Sequence, residues 1–185
     1  MPRTIAEKRA AFRALHESGC FMLAPLGFKA LATTSSGFAW SHGRADNHVT
    51  RDAVLAHLRE IVEATDLPVN ADFESGFGAT PDEVAQSVRM AVEMGVPGLS
   101  IGDSTGEAVA PLFPVDVAVE RMKAARRAID AGGGDTLLVG RAENFVAGVP
   151  DLDDAIARLK VYADAGADCL YAPGVKRHAS RSRQW

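Results

Sequence analysis

Between Thr50 and Gly174, short apolar runs alternate with capped amphipathic segments, and few residues separate one from the next. This alternation constrains the chain more than any other feature. Strands joined by helical crossovers through short links must lie parallel, with the helices covering the sheet. The clearest helix start is Thr80-Pro81-Asp82-Glu83. It offers a capping threonine, proline at the first helical position and a glutamate three residues after the cap. Val84, Val88, Ala91 and Val92 then form one apolar stripe and Gly95 a stop. Thr50 caps an earlier helix with Val54, Leu58, Ile61 and Val62 on one face. Pro114 opens a later one with Val115, Ala118, Val119, Met122, Ala125 and Ile129 inward, ended by Gly132-Gly133-Gly134. Asp151 caps the last, with Ile156, Leu159 and Ala163 inward and Gly166 as the stop. Strands are expected at the start of 67–78 and over 98–101, 136–141 and 168–171.

The N-terminal part is less regular. Thr4-Ile5-Ala6-Glu7 fits a capping box, and its helix should run to about Glu17 and stop near Gly19. Two apolar runs follow, 20–23 and 28–33, for about six strands in all. The link Ala24-Pro25-Leu26-Gly27 is too short to hold a crossover helix. Residues 38–48 read as a loop carrying Trp40, His42, Arg44, Asp46 and His48, of which Asp46 is a functional candidate.

The 185 residues are 47% hydrophobic with a net charge of −4, which fits one globular domain with a real core, spanning 1–175. An acidic balance implies no general affinity for nucleic acid or anionic membrane. The two cysteines, Cys20 and Cys169, form neither a disulfide framework nor a zinc spacing, and reduced thiols in a cytoplasmic protein are expected. The charged N-terminus does not read as a secretory signal, and no apolar run is long enough to span a bilayer. Residues 176–185 are basic, serine-rich and aperiodic, and are read as a disordered tail.

The polar candidates cluster where strands end. Ser35, Ser36 and Gly37 follow the second strand, Asp72 and Glu74 the third, Asp103 the fourth, and Arg141, Glu143 and Asn144 the fifth. Ligands of barrels and open α/β sheets bind at the C-terminal ends of the strands. Asp72 and Glu74 are two apart, so on a strand they share a face, and paired carboxylates there call for a proton or a hard cation such as Mg²⁺. Two solvated acids at a polar strand end are the simpler alternative. Ser35 to Gly37 could offer backbone N–H groups to an anion or form a plain turn.

Five segments carry a resemblance: Phe12-Arg13-Ala14-Leu15-His16, the run Ala32-Thr33-Thr34-Ser35-Ser36-Gly37-Phe38-Ala39, the run Asn70-Ala71-Asp72-Phe73-Glu74-Ser75-Gly76-Phe77-Gly78, Arg141-Ala142-Glu143-Asn144-Phe145, and Leu170-Tyr171-Ala172-Pro173-Gly174. Together, and in this order, they resemble the isocitrate lyase / phosphoenolpyruvate mutase superfamily over nearly all of residues 4–174. The resemblance implies a TIM-type (β/α) barrel and a Mg²⁺-dependent enzyme that cleaves or rearranges C–C or P–C bonds of 2-oxo-acid or phosphonate substrates. It implies metal-site acids at Asp72 and Glu74, and a further acid, Asp46, facing them. Ser35, Ser36 and Gly37 are implied to hold the substrate carboxylate, with Asn144 beside them, and Arg141 to grip the substrate's oxygens.

Three departures stand beside it. Gly102-Asp103 replaces the family's usual Glu-Asp, whose glutamate helps hold the metal's water shell, so weaker metal binding is expected and restoring Gly102→Glu should tighten it. Residues 104–113 contain no Cys, Lys or His, so the lyases' Lys-x-Cys-Gly-His gate is missing. The barrel is expected to be incomplete, lacking the first crossover helix and the last two strands. A complete one takes about 250 residues. Six strands would leave open edges unless a partner chain covers them, so a homo-oligomer is expected. An inactive truncated remnant, or a subunit of a family oligomer, is the alternative to an enzyme. An unrelated doubly wound sheet binding a small anion is a third reading, against which the Asp72–Gly78 context argues.

Overall fold

A computed structural model describes residues 3–18 and 29–175. Helix α1 (Ile5–Ser18) is followed by β1 (Leu31–Ala32), α2 (Ser35–Ser41), α3 (Arg51–Ala64), β2 (Val69–Asp72), α4 (Pro81–Glu93), β3 (Gly98–Gly102), α5 (Val115–Ala131), β4 (Leu137–Arg141), α6 (Leu152–Asp164) and β5 (Cys169–Tyr171). The five strands are all parallel and lie side by side in chain order. They curl into a half-barrel, the incomplete TIM-type architecture that the resemblance implies. The apolar run at 20–23, expected as a first strand, and the tail at 176–185 lie outside the described residues.

The pleat sorts the strand residues. Ala71, Phe73, Leu99, Ile101 and Leu138 face the helices and join Val84, Val88, Ala91, Met122, Ala125 and Ile129 in one buried core. Register pairs Asp72 with Ser100, and Gly102 with Arg141, on the opposite, inner face. Phe12 of α1 packs with Ala30 and Leu137 in a small second cluster. Cys169 is half-buried, and burial pushes its thiol up to about 11, so it stays protonated near neutrality.

The expected caps form. Thr80 accepts from the Glu83 amide while Glu83 reaches back to the Thr80 amide. Thr4 and Glu7 do the same at α1, and Thr50 and Asp151 cap α3 and α6. The region read as a loop from 38 onward instead begins inside a helix. Thr34 accepts from the Gly37 amide at 3.4 Å, and Phe38 and Ala39 are buried, so capping and burial turn a Ser/Gly stretch into α2. On α5, Val115 is 38% exposed rather than inward.

Helix α6 departs most from expectation. Ile156 is 42% exposed and Ala163 is exposed, whereas Ala155, Arg158 and Tyr162 are buried. The inward face is rotated because it meets a buried charge. Asp103, 1% exposed, accepts from Arg158 Nη1 at 3.1 Å and from the Tyr162 hydroxyl at 2.5 Å. Burial and the adjacent Asp103 carboxylate push the Tyr162 phenol up, which keeps it a donor. Arg158→Met should cost about 3–5 kcal/mol, because it strands a buried carboxylate, and Tyr162→Phe about 1–3 kcal/mol. Urea unfolding of the two variants checks this ranking.

Candidate active site

A cavity of about 140 Å³ opens at the C-terminal ends of the strands, where Ser35, Asp46, Glu74, Ser104, Arg141 and Glu143 meet. Arg141 is its anchor. From the end of β4 it donates through Nη1 to Asp72 Oδ1 at 2.5 Å and to Ser100 Oγ at 3.2 Å. Its Nη2 lies 3.2 Å from Glu143 Oε1 and 3.4 Å from the Glu74 carbonyl. The guanidinium thus ties the tips of β2, β3 and β4 together from the inner face.

Asp72 is fully engaged. Besides Arg141, its Oδ2 accepts from the Ser35 amide at 2.8 Å, and its own N–H donates to Thr33 Oγ1 at 2.8 Å. Burial pushes its carboxyl up, but Arg141 and the Ser35 amide outweigh that and hold it below the usual range. The Ser35 amide expected to be offered to an anion is therefore given to the chain's own carboxylate.

Glu74 is the opposite case. It is 9% exposed, and its Oε1 is buried without a hydrogen-bond partner among the described residues. Burial, then Asp46 and Asp72, push its carboxyl up to about 7 despite Arg141. Its backbone is left-handed, with φ 48°, a conformation that costs a non-glycine residue of order 1 kcal/mol or more and gathers at functional sites. Two contacts keep it beside β3 all the same: the Phe73 amide donates to the Ser100 carbonyl and the Gly102 amide to the Glu74 carbonyl. The following turn is clamped by Arg121 of α5, which donates to the carbonyls of Ser75 at 2.7 Å and Gly78 at 2.8 Å.

Three carboxylates, Asp46, Glu74 and Glu143, face one guanidinium in this cavity, with Asp72 directly behind. Among the described residues no three His, Cys, Asp or Glu side chains converge closely enough to enclose a metal ion. An open acidic set of this kind fits a hard cation that keeps several waters. The remaining sequence candidates sit apart from this cavity. Ser36 Oγ lies 3.2 Å from Thr34 Oγ1 in the first turn of α2, where Gly37 also packs on Thr34. Asn144 donates to Asp154 at 2.7 Å and lines a neighbouring cavity with Arg158.

Residues 12–183 match the family model described as phosphoenolpyruvate phosphomutase. The chain belongs to the phosphoenolpyruvate phosphomutase family. It is 31% identical over 155 residues to 2-methylisocitrate lyase of Escherichia coli K12, covering 80% of this chain and 52% of that enzyme. It is 33% identical over 132 residues to an oxaloacetate decarboxylase of Bradyrhizobium sp. ORS 278, covering 69% and 44%. Among solved structures, a protein of Burkholderia cenocepacia J2315 designated a lyase/mutase superposes with TM-score 0.88 at 46% identity, covering 94% of this chain and 67% of that one. A phosphonopyruvate hydrolase solved with oxalate and Mg²⁺ superposes with TM-score 0.77 at 25% identity, covering 89% and 62%. The chain thus spans about half the length of the curated relatives it matches.

Sequence reasoning underrated Glu143. It stands two residues after Arg141, the same spacing that singled out Asp72 and Glu74. The Asp103–Arg158–Tyr162 set left no local signal, because Asp103 lies 55 and 59 residues from its two partners on α6.

The raised Glu74 carboxyl has a signed consequence. Folded Glu74 holds its proton up to about pH 7, the unfolded chain only to about 4.5. Its contribution is fully present below about 4.5 and is lost as pH rises through 7. Without divalent cations, wild type should lose on the order of 2–3 kcal/mol relative to Glu74→Gln between those limits. Urea midpoints across that range measure the difference, and parallel profiles would contradict it.

Proposed function

We propose that this chain carries a Mg²⁺-dependent lyase or phosphomutase site acting on a small 2-oxo-acid or phosphonate substrate, with cleavage or rearrangement of a C–C or P–C bond. The observation that supports this most is the buried Glu74 Oε1, without a hydrogen-bond partner among the described residues, beside Arg141 in an acidic cavity. An isolated buried carboxylate is costly unless it is protonated, paired or bound to a cation. Glu74 and Asp46 would hold the ion, while Asp72, its oxygens already engaged, adds charge from behind and fixes Arg141. When bound, Mg²⁺ would supply Lewis-acid stabilisation for an enolate-like oxygen.

The chain's own residues define the rest. Arg141 presents a planar fork suited to a carboxylate or phosphonate, and its buried Nε has no partner among the described residues. Glu74, poised near neutrality, can hold or surrender a proton within the cavity. Asp46 reaches the same space from the turn after α2 and is the second candidate to handle a proton there. Ser35 stands at the mouth, and Ser36 and Gly37 in the same turn are proposed to meet the substrate carboxylate. Asn144, immediately beyond Glu143, is proposed to border the bound substrate. The relatives' substrates suggest the class: 2-methylisocitrate, oxaloacetate and phosphonopyruvate by their names. Among the described residues no helix is long and apolar enough to cross a membrane.

Purified chain should turn over at least one of 2-methylisocitrate, oxaloacetate or phosphonopyruvate only with Mg²⁺, and EDTA should abolish it. Asp72→Ala and Arg141→Ala should each lower kcat/KM at least about 100-fold, since each leaves the other charge buried and unpaired in the cavity and displaces the groups it holds. A folded chain that binds Mg²⁺ but converts none of the three would favour the inactive remnant.

A further inference from the structure

Gly102 is buried at the end of β3, yet its backbone is not left-handed, so conformation does not demand glycine there. Space does. A Cβ built on Gly102 would fall inside contact distance of the Glu143 carboxyl carbon and lie 2.9 Å from its Oε1, with Oε2 nearer still. Glu143 reaches back from the exit of β4 and lays its carboxylate over the bare Gly102 backbone. There it is braced by Arg141 Nη2 at 3.2 Å and by the Ser104 amide at 3.2 Å. Its own amide donates to Asp103 Oδ1 at 2.8 Å, so the buried Asp103–Arg158–Tyr162 set fixes the backbone from which it projects. The side chain is only 13% exposed and lines the same cavity as Glu74 and Asp46.

We infer that Gly102 and Glu143 work as a unit: the missing side chain at 102 is the seat of the Glu143 carboxylate, which from there adds negative charge beside Glu74 and Asp46 and supports the divalent-cation site through the ion's waters rather than as a direct ligand. The site is then not short of a supporting carboxylate for having glycine at 102, because one comes from the neighbouring strand. Any side chain at 102 evicts it. The atoms in the way are the far end of a flexible side chain, so eviction leaves the fold intact while moving the charge. The inference rests on the cation reading above.

The test uses the whole chain and Mn²⁺ as probe, with free Mn²⁺ counted by its electron paramagnetic resonance signal and folding followed by thermal melting. Glu143→Gln, which keeps shape and removes charge, should weaken Mn²⁺ binding about tenfold, the lower end of what supporting groups contribute at metal sites. Gly102→Ala should weaken it similarly with the melting temperature little changed. The double variant should bind no more weakly than either single one, because both changes remove the same carboxylate. Wild-type binding that is lost in Glu74→Gln but unchanged in Glu143→Gln would overturn the inference and leave the cation reading standing. Multiplying losses in the double variant would also overturn it. A wild-type chain that binds no Mn²⁺ overturns both. Should Gly102→Ala fail to fold, the isosteric Glu143→Gln alone decides.

Discussion

The contact between Arg141 and Asp72 is the constraint around which the inner face is arranged. It joins β4 to β2 across β3, in a place where neither charge can be left alone. A buried ion pair of this kind adds little net stability, but losing either partner is severe. Its worth lies in geometry. With Arg141 fixed, the Glu74 carbonyl, Ser100 and Glu143 all find their places around one guanidinium. Asp72 in turn captures the Ser35 amide, so the start of α2 is held against the same strand tip.

A second layer of buried polar contacts keeps that arrangement rigid. Arg121 clamps the turn after Glu74 from the helix side and stacks on Phe113 at 4.4 Å. Asp103, held by Arg158 and Tyr162, does the same for Glu143. Both supports come from helices packed outside the sheet, so the core that stabilises the half-barrel also fixes the acids on its inner rim. The cavity carries more negative than positive charge. Burial first, and then that imbalance, raise the Glu74 carboxyl and give a divalent cation or a proton a place to bind.

Much of this was legible in the residues. Alternating strands and capped helices follow from local rules, and Thr50, Thr80 and Asp151 cap as their spacing requires. The pairing of Asp72, Glu74 and Arg141 follows from strand ends sharing one rim. Long-range polar contacts were not legible. Helix α6 shows an apolar stripe on paper, but its buried face is set by Arg158 and Tyr162 meeting a carboxylate 55 and 59 residues away. Nothing near Gly102 in sequence announces that Glu143 fills its side-chain space. The helix at 35–41 was hidden because Ser and Gly favour turns until a cap and two buried residues override them.

The attraction of a divalent cation to Glu74 is the claim on which the functional reading turns. Anomalous scattering from crystals grown with Mn²⁺ measures it most directly. A single peak within direct or one-water reach of Glu74 Oε1, on the side facing Glu143, is the predicted result. An empty cavity at saturating Mn²⁺, with Arg141 still paired to Asp72 and Glu143, would contradict it.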